Sequence, residues 1–112
     1  MNITIEQQGD VAVLSVVGSI DAMTSDRLTS SFDEQISAGT VNLVADFSGV
    51  DYTYSAGLRA LLGAMKSSRG GGGDLRLSGI RDDVLRVLEM SGFTSILKTF
   101  DTVEEAVGSF RL

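Results

Sequence analysis

Histidine, cysteine and tryptophan are absent from this chain of 112 residues, and each absence removes a class of chemistry. Without cysteine there are no disulfides or thiolate metal sites, and the cytoplasm is the expected compartment. Without histidine a Ser-His-Asp triad cannot form, and the commonest general base and metal ligand are missing. With only 6% aromatic residues, stacking platforms for bases or sugars are not expected. The formal net charge of −6 opposes binding to nucleic acid or to an anionic membrane surface. No apolar run approaches the roughly 20 residues of a membrane span. The N-terminus MNITIEQQGD lacks the basic and apolar regions of a signal peptide.

What is present suits a small globular domain. Hydrophobic residues make up 43% and charged residues 21%, and a chain of this length buries enough surface for one core without staples. One domain over residues 1–112 is expected. Gly9-Asp10 is a hairpin turn signal between alternating apolar runs, which predicts antiparallel strands near residues 2–7 and 10–17. Leu28, Phe32 and Ile36 recur every four residues and predict a helix, capped by Thr24 or Ser25 and stopped at Gly39. VNLVADFS, rich in valine, reads as a strand covered on both faces. Leu58, Leu61, Leu62 and Met65 form the apolar stripe of a second helix that RGGGG ends. DLRLSGI alternates as a strand, and RDDVLRVLEMSG places Val84, Val87 and Leu88 on one helical face. SILKTF reads as a last strand, and DTVEEAVGSF as a last helix with Asp101 as cap and Glu104 completing a capping box. The order is β-β-α-β-α-β-α-β-α, an α/β fold with a mixed, mostly parallel sheet and about four flanking helices.

Ser55, at the junction of DYTY and AGLRALL, has two compatible readings. It can cap the helix by accepting from a first-turn amide. The same place, with unpaired N–H groups and the positive end of the helix dipole, also suits a phosphoacceptor. Gly57 weakens the first turn by about 1 kcal/mol relative to alanine, and either close packing beneath the helix or close approach by a partner accounts for it. Asp21, in GSID, reads as a loop cap. Asp46 is placed at the end of its strand, where α/β sheets display functional groups. Asp21, Asp46 and Asp51 could form a Mg²⁺ cluster, and Asp21 with Asp46 a catalytic pair. Scattered loop aspartates argue against the first, and the lack of any cofactor fingerprint against the second. RGGGGDL precedes a strand and lacks the Gly-Lys-Ser/Thr of a P-loop, so it is not read as a phosphate cradle. No metal and no cofactor is expected.

With these elements in order, the chain resembles the bacterial anti-sigma factor antagonists of the STAS domain family. The resemblance rests on GSID, VADFSGVDYTYSAGLRALL, LRLSGIRDDVLRVLEMSGF and ILKTFDTVEEAV, and spans nearly the whole length. It implies a four- or five-stranded sheet flanked by helices, no catalysis by this chain, and binding to an anti-sigma factor with serine kinase activity. Phosphorylation releases that partner and a serine phosphatase reverses the modification. Carried over residue by residue, the resemblance makes Ser55 the phosphoacceptor and places Asp21, Tyr54, Ala56, Gly57 and Leu58 on the partner surface. Tyr54 stands where many relatives have aspartate, Ala56 where many have a second serine, and Thr53 where the residue is commonly apolar. A non-phosphorylated STAS subunit of another assembly, a lipid-transport ATPase or a stressosome-like scaffold, is the alternative. A monomer or weak homodimer is expected.

Overall fold

The computed structural model describes residues 1–111; the expected domain boundary at Leu112 falls just outside them. The chain forms β1 (Asn2–Gln8), β2 (Val11–Ile20), α1 (Ser25–Ser37), β3 (Asn42–Thr53), α2 (Ser55–Gly70), β4 (Asp74–Ser78), α3 (Asp82–Met90), β5 (Thr99–Phe100) and α4 (Val103–Gly108). The order and the mixed sheet are those expected from the sequence. The strands lie side by side in chain order, β1 antiparallel to β2 and each later neighbour parallel. Gln8 pairs with Val11, so Gly9-Asp10 is a two-residue loop. Gly9 takes φ +64°, the positive first position of a tight hairpin.

Two packed layers cover the sheet unequally. On one face Ala12, Leu14, Val16, Leu43, Ala45, Phe47, Leu75 and Leu77 meet Leu28 and Phe32 of α1, Leu61 and Met65 of α2, and Val84 and Leu88 of α3. On the other face, among the described residues, α4 and the turn after it pack, through Ala106, Val107 and Phe110 on Val11, Val13 and Val44. β3 is therefore double-covered along its first half alone. Beyond Val44 its α4-side residues are polar, Asp46 and then Ser48.

Four expectations change. β2 and β3 run past residues 17 and 48 to Ile20 and Thr53, because each satisfies the other's backbone through a register with two bulges. The last strand shrinks from SILKTF to Thr99–Phe100, since Phe93–Ser95 turns into a 3-10 helix. The capping box moves by one residue. Thr102 Oγ1 accepts from the Glu105 amide at 3.2 Å and its hydroxyl donates to the Glu105 carboxylate at 3.1 Å, so Thr102 caps the helix with Glu105 as its partner, in place of Asp101 with Glu104. The buried face of α2 is also rotated. Ala56, Gly57, Ala60, Leu61, Ala64, Met65 and Ser68 are buried, while Leu58 and Leu62 pack from the flank.

Candidate functional site

The paired ends of β2 and β3 build the site. Ile20 and Thr53 are register partners, and the Tyr54 amide donates to the Ile20 carbonyl at 2.9 Å. The residues just beyond each strand, Asp21 after β2 and Tyr54 with Ser55 after β3, are thereby delivered to the same edge of the molecule. GSID and DYTYSAG, separate in the chain, become one surface.

Asp21 is held rigidly. Its Oδ1 accepts from the Met23 amide at 2.9 Å and the Thr24 amide at 3.0 Å, with the Thr24 hydroxyl 3.1 Å away. The Asp21 amide donates to Thr24 Oγ1 at 2.9 Å. The Thr24 amide, then the Thr24 hydroxyl, and more weakly the Met23 amide hold the Asp21 carboxyl below its ordinary value of 3.8, against a small opposing effect of burial. Thr24 is the N-cap residue of α1, but its hydroxyl is spent on this loop and caps no helix amide.

The structure corrects the reading of Ser55 as a cap. Tyr54 is the N-cap of α2, with extended φ −96° and ψ 177°, and Ser55 is the first helical residue. Tyrosine has no short acceptor, so no side chain caps this helix. Ser55 is exposed and its hydroxyl has no hydrogen-bond partner among the described residues. The helix that follows has 16 residues; the Gly57 and Leu58 amides donate to the Tyr54 carbonyl at 2.9 and 3.3 Å, which leaves the Ser55 and Ala56 amides and the helix dipole to face an anion.

The other four residues of the expected partner surface divide. Tyr54 is 56% exposed, its ring edge-to-face with Tyr52 at 4.8 Å between centroids. Leu58 is half-buried against the core. Ala56 is nearly buried and lines a groove between α1 and α2. Gly57 faces inward, where an added Cβ would overlap Thr53 Oγ1 and lie 2.8 Å from Ile20 Cγ2. Close packing beneath the helix therefore explains this glycine.

The alternative constellations do not assemble. Asp46 lies within β3 rather than at its end, beside Ser15 and accepting from the Ser48 amide at 3.0 Å. It pairs in register with Ser15, six residues before Asp21, which separates the two carboxyls by roughly 20 Å along the strand direction. Asp51 meets Arg81 at 3.4 Å. Among the described residues no three acidic groups gather where they could hold a metal ion, and no helix is long and apolar enough to cross a membrane. Sequence reasoning missed Met23, 89% exposed in the loop after Asp21. An apolar residue in a loop with no periodic partner was the available signal.

Comparison with known proteins agrees with the fold. The STAS domain model matches residues 2–106, and the chain belongs to the STAS domain family. An anti-sigma-B factor antagonist of Listeria monocytogenes is 33% identical, the match covering 97% of this chain and 98% of the relative. An anti-sigma factor antagonist from Mycobacterium paratuberculosis has a crystal structure that superposes with a TM-score of 0.89 at 23% identity, over 99% of this chain and 94% of that one. The anti-sigma factor antagonist SpoIIAA, in its unphosphorylated form, shares the fold at TM-score 0.85 and 20% identity, covering 98% and 96% of the two chains. SpoIIAA of Bacillus is also solved in its phosphorylated form, at TM-score 0.75 and 19% identity, over 96% of this chain and 98% of that one.

Proposed function

We infer that this chain is an anti-sigma factor antagonist. Unphosphorylated, it binds an anti-sigma factor that is also a serine kinase; phosphorylation at Ser55 releases that partner, and a serine phosphatase resets the switch. It acts by binding rather than by catalysis. The observation that carries the reading is the exposed, unpartnered Ser55 hydroxyl on the uncapped first turn of α2, beside the Asp21 loop. The full-length similarity to the Listeria antagonist supports the class, and the existence of SpoIIAA in two phosphorylation states supports the switch.

The chemistry asks little of this chain. Ser55 Oγ attacks the γ-phosphorus of ATP held by the kinase, the O–P bond forms as the β–γ linkage breaks, and the hydroxyl proton passes to the kinase. The product carries about two negative charges. The Ser55 and Ala56 amides and the dipole of α2 favour that phosphate in the free protein. In a complex the same group is driven into an interface, where desolvation costs several kcal/mol, enough to move an affinity by orders of magnitude. Tyr54, Asp21 and Leu58 supply contact around the serine, with Ala56 and Gly57 setting the close approach of helix to sheet behind it.

Incubation of the protein with ATP and lysate of its source organism, followed by mass-spectrometric mapping, is expected to place phosphate on Ser55. Tyr52 and Tyr54 are exposed alternatives, and Thr53 is buried. Ser55→Ala should retain the anti-sigma partner in the presence of ATP, and Ser55→Asp should bind it at least tenfold more weakly. Equal binding by both variants would falsify the switch.

A further inference from the structure

The sheet ends differently at its two edges. At one, β5 has two residues, too few to template another strand. At the other, β1 runs seven residues in unbroken register with β2. It contains no proline, lysine or bulge, the devices that blunt an exposed edge. Backbone alternation defines what this edge offers. Gln8 and Val11 close a two-residue loop, and such a pair exchanges both hydrogen bonds. Counting back in twos, Glu6, Thr4 and Asn2 also bond β2, which leaves the amides and carbonyls of Gln7, Ile5 and Ile3 pointing away from the sheet.

The flank of this edge matches itself. Ile5 is 42% exposed although it pairs with the core residue Leu14. Beside it a groove of about 330 Å³ between β1 and α1 is lined by Ile3, Asp26, Arg27, Ser30, Ser31 and Glu34. Arg27 is held at the edge by its 2.7 Å bond to the Met1 carbonyl. Arg27 and Glu34 lie about two helical turns apart on one face, with the small residues Ser30 and Ser31 midway. A two-fold axis between the serines brings Arg27 of each copy to Glu34 of the other, so these two charges are complementary across the axis, while Asp26 adds a third, acidic charge to the groove.

We propose that β1 pairs antiparallel with β1 of a second copy of this chain, with Ile3 opposite Ile5 and the two α1 helices side by side across Ser30 and Ser31. Each Ile3–Ile5 pair exchanges backbone hydrogen bonds, the exposed Ile5 is covered, and two Arg27–Glu34 pairs close the flanks. Ser55, Tyr54 and Asp21 lie outside both β1 and α1, so each copy keeps its own serine accessible. The inference does not rest on the phosphorylation reading. A contact limited to one short strand and one helix flank belongs with weak interfaces, dissociating at roughly 10 µM to 1 mM.

Sedimentation velocity of the full chain from about 10 µM to 1 mM tests it. The expected result is a reversible shift from monomer to dimer. Ile5→Pro deletes one outward amide and none of the β1–β2 bonds; it should stay folded by circular dichroism and remain monomeric throughout. Arg27→Glu and Glu34→Arg should each abolish the dimer alone and restore association when mixed in equal amounts, an outcome that a loss of folding cannot produce. A wild-type chain that stays monomeric overturns the proposal. So does a dimer that survives Ile5→Pro or Arg27→Glu, or a charge-swapped mixture that fails to associate.

Discussion

Gly57 lacks a side chain because two buried residues, Ile20 and Thr53, occupy the space one would need. The residue costs its helix about 1 kcal/mol in propensity, and the close approach it permits keeps Ser55 against the β2–β3 strand ends. Gly57→Ala is therefore expected to lower stability by about 1–3 kcal/mol in spite of the better helix former. Chemical denaturation measures this, and an unchanged midpoint would show that Thr53 and Ile20 give way freely. Asp21 supplies the second prediction at this scale. Its carboxyl is held below its ordinary 3.8, chiefly by Thr24. A carboxyl depressed by folding stabilises the native state above its unfolded pKa, and that contribution is lost as pH falls through the folded value. The Thr24 and Met23 amide resonances should accordingly titrate together with a midpoint below 3.8, and Asp21→Asn should flatten the acid limb of stability. Movement centred above pH 4 would contradict the hydrogen bonds assigned to this loop.

At the scale of elements, two of the glycines of α2 behave oppositely. Gly63 lies in the middle of the same helix, and a Cβ added there would meet nothing within 4 Å, so it bears the entropic cost with no packing return. Gly63→Ala is expected to raise stability by about 1 kcal/mol, read as a higher thermal midpoint; a lower one would mean that the α1–α2 groove needs its width. The helix caps show how local sequence can mislead by one residue. Asp-Thr-Val-Glu-Glu contains two overlapping box patterns, one starting at Asp101 and one at Thr102. Thr102 takes the cap because its extended backbone, φ −128° and ψ 157°, turns its hydroxyl to the Glu105 amide. At α2 the serine that reads as a cap is displaced into the helix because the Tyr54 amide is claimed by Ile20, which fixes where β3 stops.

Across the whole molecule, the unequal cover of the sheet and the long β2–β3 pairing set where function is displayed. Three helices lie on one face and one short helix on the other, so the sheet's strand ends and its β1 edge remain accessible. The element order and strand polarity were legible in the chain, because a period of two or about four residues and a glycine stop are local properties. Leu28 with Phe32, Val84 with Leu88, and the Gly9-Asp10 turn each declare their element without help from distant residues. The family motif likewise pointed to Ser55 from its neighbours alone.

The sequence by itself determined the alternation of strands and helices, the turn chemistry, and the exclusion of histidine and cysteine chemistry. Only the tertiary structure decided that β2 and β3 extend to Ile20 and Thr53, that Tyr54 rather than Ser55 occupies the N-cap, and that Asp46 lies far from Asp21. Those outcomes depend on backbone groups of one strand finding partners on another more than thirty residues away in the chain, a pairing that no window of local periodicity contains. Strand length and cap position follow from that pairing, and with them the exposure of the Ser55 hydroxyl.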